Sequence, residues 1–516
     1  MKDLPVDLNA ALASSDWQKD FSWPISPSNL RDSIMSQHHE YLKWILSLSG
    51  KHKDIALLVG GRLLMRARLL YCVMRALEAQ GNNSQFYGDN KVLHYVLGKG
   101  QLKPTTIPMS WSVPSLSFGR AIARTASWTS WRRLWQALKS SKSLAVSHNS
   151  LLCAELFRRE ETVGYESAEA ILNRLSIESS PSEVDTVDLS RQAVDQILKG
   201  FSFSKQAQSR IAAILQDESK IFFDIAARTL KSLSKWSDAP VRLFAGTGGS
   251  FASRAISIEV IRRGGTVERF EHGGGAAMID YIAVPALTEF HVSTNFTSNT
   301  SATAEEIKRL MAGKQLYGSG ICKITGGNGD PLFKSIRHST KHEKKTQRLM
   351  YISTLFQCMG SIAPPIMADV VYLDWQRRLI EALKAAGHDT IICPHPAAMP
   401  AGITHPLTRM VPFAHGNFEK AMDSADLFIF DYRQTTTLAS AMCSDKPIVL
   451  IDFGLSPPSE LARKEIGKRC YVIEGWFDER NLPQIKWGDL NNVIRNAPRR
   501  VDYEPIRSYL AGPSNN

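Results

Sequence analysis

The chain has 516 residues, 43% apolar and 22% charged, which is material for about three domains and excludes a generally disordered state. Lys and Arg outnumber Asp and Glu by 62 to 50, a net charge of +12 with a pI near 9.3, so an anionic partner is expected. Seven scattered cysteines without a Cys-x-x-Cys pair exclude a disulfide framework and a zinc ribbon; with no signal core and no apolar run of ~20 residues, a cytoplasmic protein is expected.

In chain order, residues 1–50 read as a helical lead-in, with His38, His39 and Glu40 on a helix surface. A first strand is expected over 55–59 and a helix over 63–80. Trp128, Trp131, Trp135 and Leu138 recur at helical spacing, with Arg132, Arg133 and Lys139 off that face. Such a helix suits a lipid interface, where indoles sit among headgroups and cations meet anionic lipid; it equally suits a helix packed into a core. A strand over 144–147 and a helix over 151–159 follow, then helical sequence over 165–235.

A clear unit comes next: strand 241–245, the turn Gly246-Thr247-Gly248-Gly249-Ser250, helix 251–263 and strand 266–270. Residues 336–348 read as a basic linker. Beyond it, strands are expected at 349–353, 390–393, 427–430, 448–451 and 471–473, and helices at 369–386, 417–424, 437–443 and 490–496. Alternating strands and helices imply doubly wound parallel sheets. The expected fold is therefore α/β, with two Rossmann-like domains over 51–335 and 349–516 and a cleft between them. The stretches 120–142 and 334–348 carry +6 and +5, that is 11 of the +12. The remainder is nearly neutral and shows no nucleic-acid motif, so a nucleic-acid partner is not expected.

Ligands of such sheets bind at the carboxyl ends of the strands, so motifs there come first. Glu271-His272-Gly273-Gly274-Gly275 follows one strand. Its glycines let backbone approach a ligand, and its imidazole suits acid–base work; the alternative is a plain turn. Pro394-His395 follows another strand, with the imidazole between prolines. After Asp431, the run Thr435-Thr436-Thr437 opens a helix, a place for phosphate or for simple capping. Gly246–Ser250 is neither a dinucleotide fingerprint nor a P-loop, yet could cradle an acceptor anion. No Asp-x-Asp and no zinc-ligand spacing occur in the sequence, so neither a metal nor another cofactor is expected.

The succession His272-Gly273, His395-Pro396, Asp431-Tyr432 with nearby hydroxyls and Lys446-Pro447 resembles the two-domain GT-B transferases of bacterial surface polysaccharides. These are the CDP-glycerol glycerophosphotransferases and the capsule and lipopolysaccharide Kdo or sialic acid transferases. The resemblance spans roughly 241–454. It departs at Asp431-Tyr432-Arg433-Gln434-Thr435-Thr436, where the usual Asp-Tyr-Ser-Ser hydroxyls are displaced by two residues, and at Glu271, where Trp often stands. The resemblance implies a metal-independent transfer from a cytidine-nucleotide sugar, most of all a CMP-linked ulosonic acid, to a glycan or lipid-linked acceptor. Donor contacts would fall to Thr354, Pro394, His395, Asp431 and Thr435–Thr437. Catalysis would fall to His272, His395, Asp280 and Glu271, and acceptor contacts to Gly246–Ser250, Gly273 and Gly274. It also implies a place at the inner face of a membrane. A CDP-polyol phosphotransferase and a non-catalytic nucleotide-binding protein of envelope assembly are the alternatives.

Overall fold

The computed structural model describes residues 4–5, 8–13, 17–19, 21–80, 86–87, 118–139, 142–175, 184–246, 249–336, 347–356, 367–395, 404–498 and 500–512. Most of the basic linker expected over 336–348 lies outside them. Two short strands, β1 (Leu4–Pro5) and β2 (Phe86–Tyr87), pair in parallel apart from the main sheets.

Among the described residues the first main sheet holds β3 (Ser143–Ala145), β4 (Gly164–Tyr165), β5 (Arg242–Ala245), β6 (Thr266–Phe270), β7 (Asn295–Ser298) and β8 (Lys323–Gly326). Their order is β4-β3-β5-β6-β7-β8, all parallel. The second holds β9 (Arg348–Ile352), β10 (Asp389–Cys393), β11 (Leu427–Phe430), β12 (Ile448–Asp452), β13 (Tyr471–Phe477) and β14 (Pro483–Ile485). It runs β10-β9-β11-β12-β13-β14, with only the β13–β14 pair antiparallel. Both sheets are doubly wound, as the alternation of strands and helices predicts. Counted within each sheet, the order is 2-1-3-4-5-6, the flavodoxin-like arrangement rather than the 3-2-1-4-5-6 of dinucleotide-binding sheets. The switch points therefore fall between β3 and β5 and between β9 and β11.

The strand expected over 55–59 does not exist; those residues belong to one helix, Gly50–Gln80. Ile55 to Val59 are all buried, so the helix is apolar around its circumference there, and a short apolar run carries no period to tell helix from strand. Gly60 lies inside it because a Cβ there would come 2.8 Å from the Tyr41 ring on the Pro27–Ser47 helix. His38 is fully buried rather than on a surface. Its Nδ1 bonds the Tyr281 hydroxyl, and burial, then the charge of Arg68, lowers its pKa to about 3. No helix among the described residues is long and apolar enough to cross a membrane.

Both ends of the chain tie the sheets together. In the lead-in, Gln18 Nε2 donates to Asp374 (3.2 Å), Trp23 N to Arg480 O (2.8 Å) and Arg31 Nη1 to Gly454 O (2.6 Å). At the other end, the Glu504–Ala511 helix returns to the first sheet. Thr300 Oγ1 donates to Tyr509 O (2.7 Å) and Asp330 N to Leu510 O (3.2 Å).

The single Trp-lined helix expected near 128–138 is broken. Helices Phe118–Ala126 and Leu134–Lys139 flank a turn that holds Trp128 and Trp131. Trp128 is core: it is 0% exposed, and its Nε1 donates to Val163 O at 3.0 Å. Trp131 and Trp135 are 80% and 66% exposed. The one stripe thus divides into an anchor and two solvent-facing indoles.

Candidate functional site at the facing strand ends

The loops at the carboxyl edge of the first sheet are fastened by buried polar side chains. Asn149 caps the Ser150–Arg158 helix by accepting from Leu152 N (2.7 Å). Its Nδ2 faces three carbonyls, Gly246 O (2.5 Å), Glu271 O (3.1 Å) and Phe270 O (3.2 Å), so one amide joins the ends of β3, β5 and β6. Gly246 is required by this packing, since a Cβ there would lie 2.8 Å from Asn149 Cγ. Glu271, expected among the catalytic groups, is instead buried at 2% exposure. Its carboxylate accepts from Ser298 Oγ (2.5 Å), Ala276 N (3.0 Å) and Asn299 N (3.1 Å). Burial raises its pKa, against these hydrogen bonds. It holds the glycine loop against the end of β7.

His272 is exposed at the tip of that loop. Asp330 caps the Pro331–Lys334 turn and accepts from Ser150 Oγ (2.5 Å) and Leu332 N (2.8 Å). Its pKa is raised by burial, and the nearby His272 opposes that rise. Sequence reasoning missed Asp330 and Asn149. The only local signals are an Asn-Gly-Asp-Pro turn and an Asn directly before a helix.

Gly273 carries φ +84°, and a Cβ on it would overlap Thr436 Oγ1. The loop after β6 therefore rests on the start of the Thr436–Met442 helix after β11, so the structure brings two of the sequence motifs together across the domains. Gly274, at φ +68°, packs on Leu510. Farther along, Ile279 pairs with Pro458, Asp280 N donates to Pro457 O (2.9 Å) and Ser459 Oγ to Ala277 O (2.7 Å). Asp280 is exposed at this seam, where its charge acts on Arg309 and Tyr317.

In the second sheet, Thr435 is the helix cap, accepting from Leu438 N and from Thr437 Oγ1, both at 3.0 Å. Capping thus accounts for two of the three threonines and leaves Thr436 facing Gly273. Asp431, expected to touch the donor, is buried at 4% exposure. It accepts from Tyr351 OH (2.5 Å), Trp375 Nε1 (2.9 Å) and Tyr372 OH (3.1 Å). Its burial raises its pKa to about 6, against the pull of those donors. Thr354 is also buried, and its amide donates to Tyr372 OH at 3.1 Å. Asp431 and Thr354 thus build the β9–β11 switch point from within.

Pro394 and His395 are half-buried at the end of β10, and burial lowers the His395 pKa. β10 and β11 flank β9, so at ~4.8 Å per strand the strand that leads to His395 lies about 10 Å from β11. Lys446 lies at the opposite end of β12, donating to Met422 O and Ala425 O (2.6 Å), a structural role. Gly249 O accepts from Arg254 (3.2 Å), and Ser250 caps the Phe251–Arg262 helix; Thr247 and Gly248 lie outside the described residues. Among the described residues no group of three or more His, Cys, Asp or Glu is placed to hold a metal ion. Neither the models of known protein families nor the curated protein sequences give a match to this chain.

Proposed function

We propose that the protein is a GT-B-type glycosyltransferase that moves a cytidine-activated sugar, a CMP-linked ulosonic acid such as Kdo or a sialic acid relative, onto a glycan or lipid-linked acceptor of a bacterial surface polysaccharide. The observation that carries this reading is the contact of Gly273 with Thr436. It joins the carboxyl ends of two doubly wound sheets, where nucleotides and their acceptors bind, with an exposed imidazole at the junction.

In this reading the first sheet presents the acceptor and the second holds the nucleotide. His272 takes the proton of the acceptor hydroxyl. The acceptor oxygen then bonds the anomeric carbon as the bond to the phosphate oxygen breaks, and CMP departs. His395 donates to that phosphate; the anion's charge offsets the lowering of its pKa by burial. Asn149 and Glu271 hold the loops in place, and Thr436 closes the contact between domains. Binding, orientation and proton transfer by these groups need no metal ion.

Thermal melts with CMP, CDP, UMP, UDP and GDP test the reading. CMP should stabilise the protein by about 2.7 kcal/mol at one hundred times its dissociation constant. Stabilisation by UDP or GDP and not by a cytidine nucleotide overturns the donor assignment, and a preference for CDP would point to phosphodiester transfer. Turnover that returned only with magnesium or manganese after EDTA treatment would overturn the metal-independent chemistry.

A further inference from the structure

We propose that Trp131, Trp135, Arg132 and Lys139 form a docking surface for an anionic lipid bilayer. The two indoles are among the most exposed large apolar side chains described, at 80% and 66%. Arg132 and Lys139 are exposed beside them, and no acidic residue occurs from Arg120 to Lys142. Exposed indoles among cations match the headgroup level of an anionic membrane, where the ring has an apolar body and one N–H, and the cations meet lipid phosphates.

The segment is held rigidly enough to present such a surface. Trp128 plugs into the core between His148 and Tyr165, at ring distances of 5.9 and 5.8 Å. Arg133 is tied to Glu160, through its backbone oxygen (2.5 Å) and its carboxylate (3.1 Å). The stretch that carries the indoles is therefore tied to the first domain at two points. Basic and aromatic residues together also suit single-stranded nucleic acid, but that needs a charged groove along the strand. Here 11 of the 12 excess charges sit in two short stretches, which favours a patch on a membrane over a channel.

The segment spans the first sheet from one edge to the other. Ser127 Oγ lies 3.2 Å from His148 Nε2, at the end of β3, whereas Arg133 bonds Glu160, beyond the far end of the Ser150–Arg158 helix and ahead of β4. The docking does not rest on the transfer reading.

The test is flotation of the full chain with vesicles of phosphatidylcholine alone and with about one-third phosphatidylglycerol, at low and high salt. Binding should require the anionic lipid and fall with salt, by roughly fivefold per cation lost. Trp131→Ala with Trp135→Ala should lower binding about tenfold or more, while the melting temperature and the response to CMP stay those of the wild type. Arg132→Glu with Lys139→Glu should lower binding further, and Phe at both Trp positions should retain part of it. The proposal is overturned if the double Trp variant binds as the wild type does, if neutral vesicles bind equally, or if an oligonucleotide strips the protein from the vesicles. Because flotation needs no nucleotide, failure of the wild-type chain to bind anionic vesicles, with an intact CMP response, overturns this proposal alone. Intact docking without a CMP response overturns the transfer reading alone.

Discussion

Asp431→Asn separates a structural carboxyl from a ligand contact by its pH signature. The folded protein buries this carboxyl among Tyr351, Tyr372 and Trp375, and burial raises its pKa from 3.8 to about 6. The unfolded chain releases the proton near 3.8 while the folded chain keeps it until about 6. The contribution to stability is therefore full below about pH 4 and is lost as pH rises to about 6. Just over two pKa units at 1.36 kcal/mol each make that loss about 3 kcal/mol. Asn does not ionise, so from about pH 4 to pH 7 the variant should gain about 3 kcal/mol relative to the wild type. Any fixed cost of its poorer hydrogen bonds cancels in that difference.

For a domain of about 150–250 residues this is roughly 6–12 °C in melting temperature. Urea and thermal melts of both proteins across that pH range supply the measurement, with Trp375 as a fluorophore inside the node. His38 and His405, whose pKa values burial lowers to about 3 and about 4, titrate with the opposite sign. Their stability is present above pH ~6.5 and lost as pH falls, and it is common to both proteins. Parallel pH curves would refute the reasoning. So would an unchanged pH profile with cytidine nucleotide binding weakened tenfold or more, since Asp431 would then face the ligand.

Asn149→Ala should cost about 3 kcal/mol, from the lost cap and the unmet carbonyls, near 10 °C in the first domain's melt. Asn149→Asp keeps the cap yet turns an oxygen on the carbonyls, so a neutral effect in urea unfolding would reduce Asn149 to a cap alone. Gly273→Ala, at φ +84° and against Thr436, should weaken cytidine nucleotide binding about tenfold or more. Adding Thr436→Ala should return part of the affinity in a calorimetric titration; no recovery would place the strain elsewhere. His395→Ala should lower turnover by roughly 10²-fold with the fold intact, and near-normal turnover in a folded variant would remove His395 from the mechanism.

The second sheet was the more legible in the sequence because β11 (LFIF) and β12 (IVLID) are continuous apolar runs. Strands buried on both faces read that way. By contrast, β7 (NFTS) and β8 (KITG) are four residues each with three and two polar residues, so neither composition nor period marks them. The Trp spacing read as one helix because periodicity does not register a turn that keeps the spacing going, and the break comes at Ser127–Arg133. The motifs at the strand ends were legible, but not which of their residues face outward. Glu271 and Asp431 are acidic residues at the carboxyl ends of strands, the chemistry a catalytic site uses. Only the folded neighbours, Ser298 for one and Tyr351 for the other, show that they point inward.

That inward orientation has a physical reason. Asn149, Glu271 and Asp431 all stand just beyond strand ends, where they bond backbone groups and side-chain donors outside the sheet ladders. A single amide or carboxylate with several hydrogen-bonding positions serves such groups better than separate water molecules, because its covalent frame fixes the partners relative to one another. Burying Glu271 and Asp431 costs stability, as their raised pKa values state. What offsets the cost is position: the His272 loop cannot shift from the end of β7 without breaking the two bonds from Ser298 and Asn299 to Glu271, nor can β11 without breaking three to Asp431. Pre-set geometry of that kind holds the exposed His272 beside the contact of Gly273 with the half-buried Thr436, where the two domains meet.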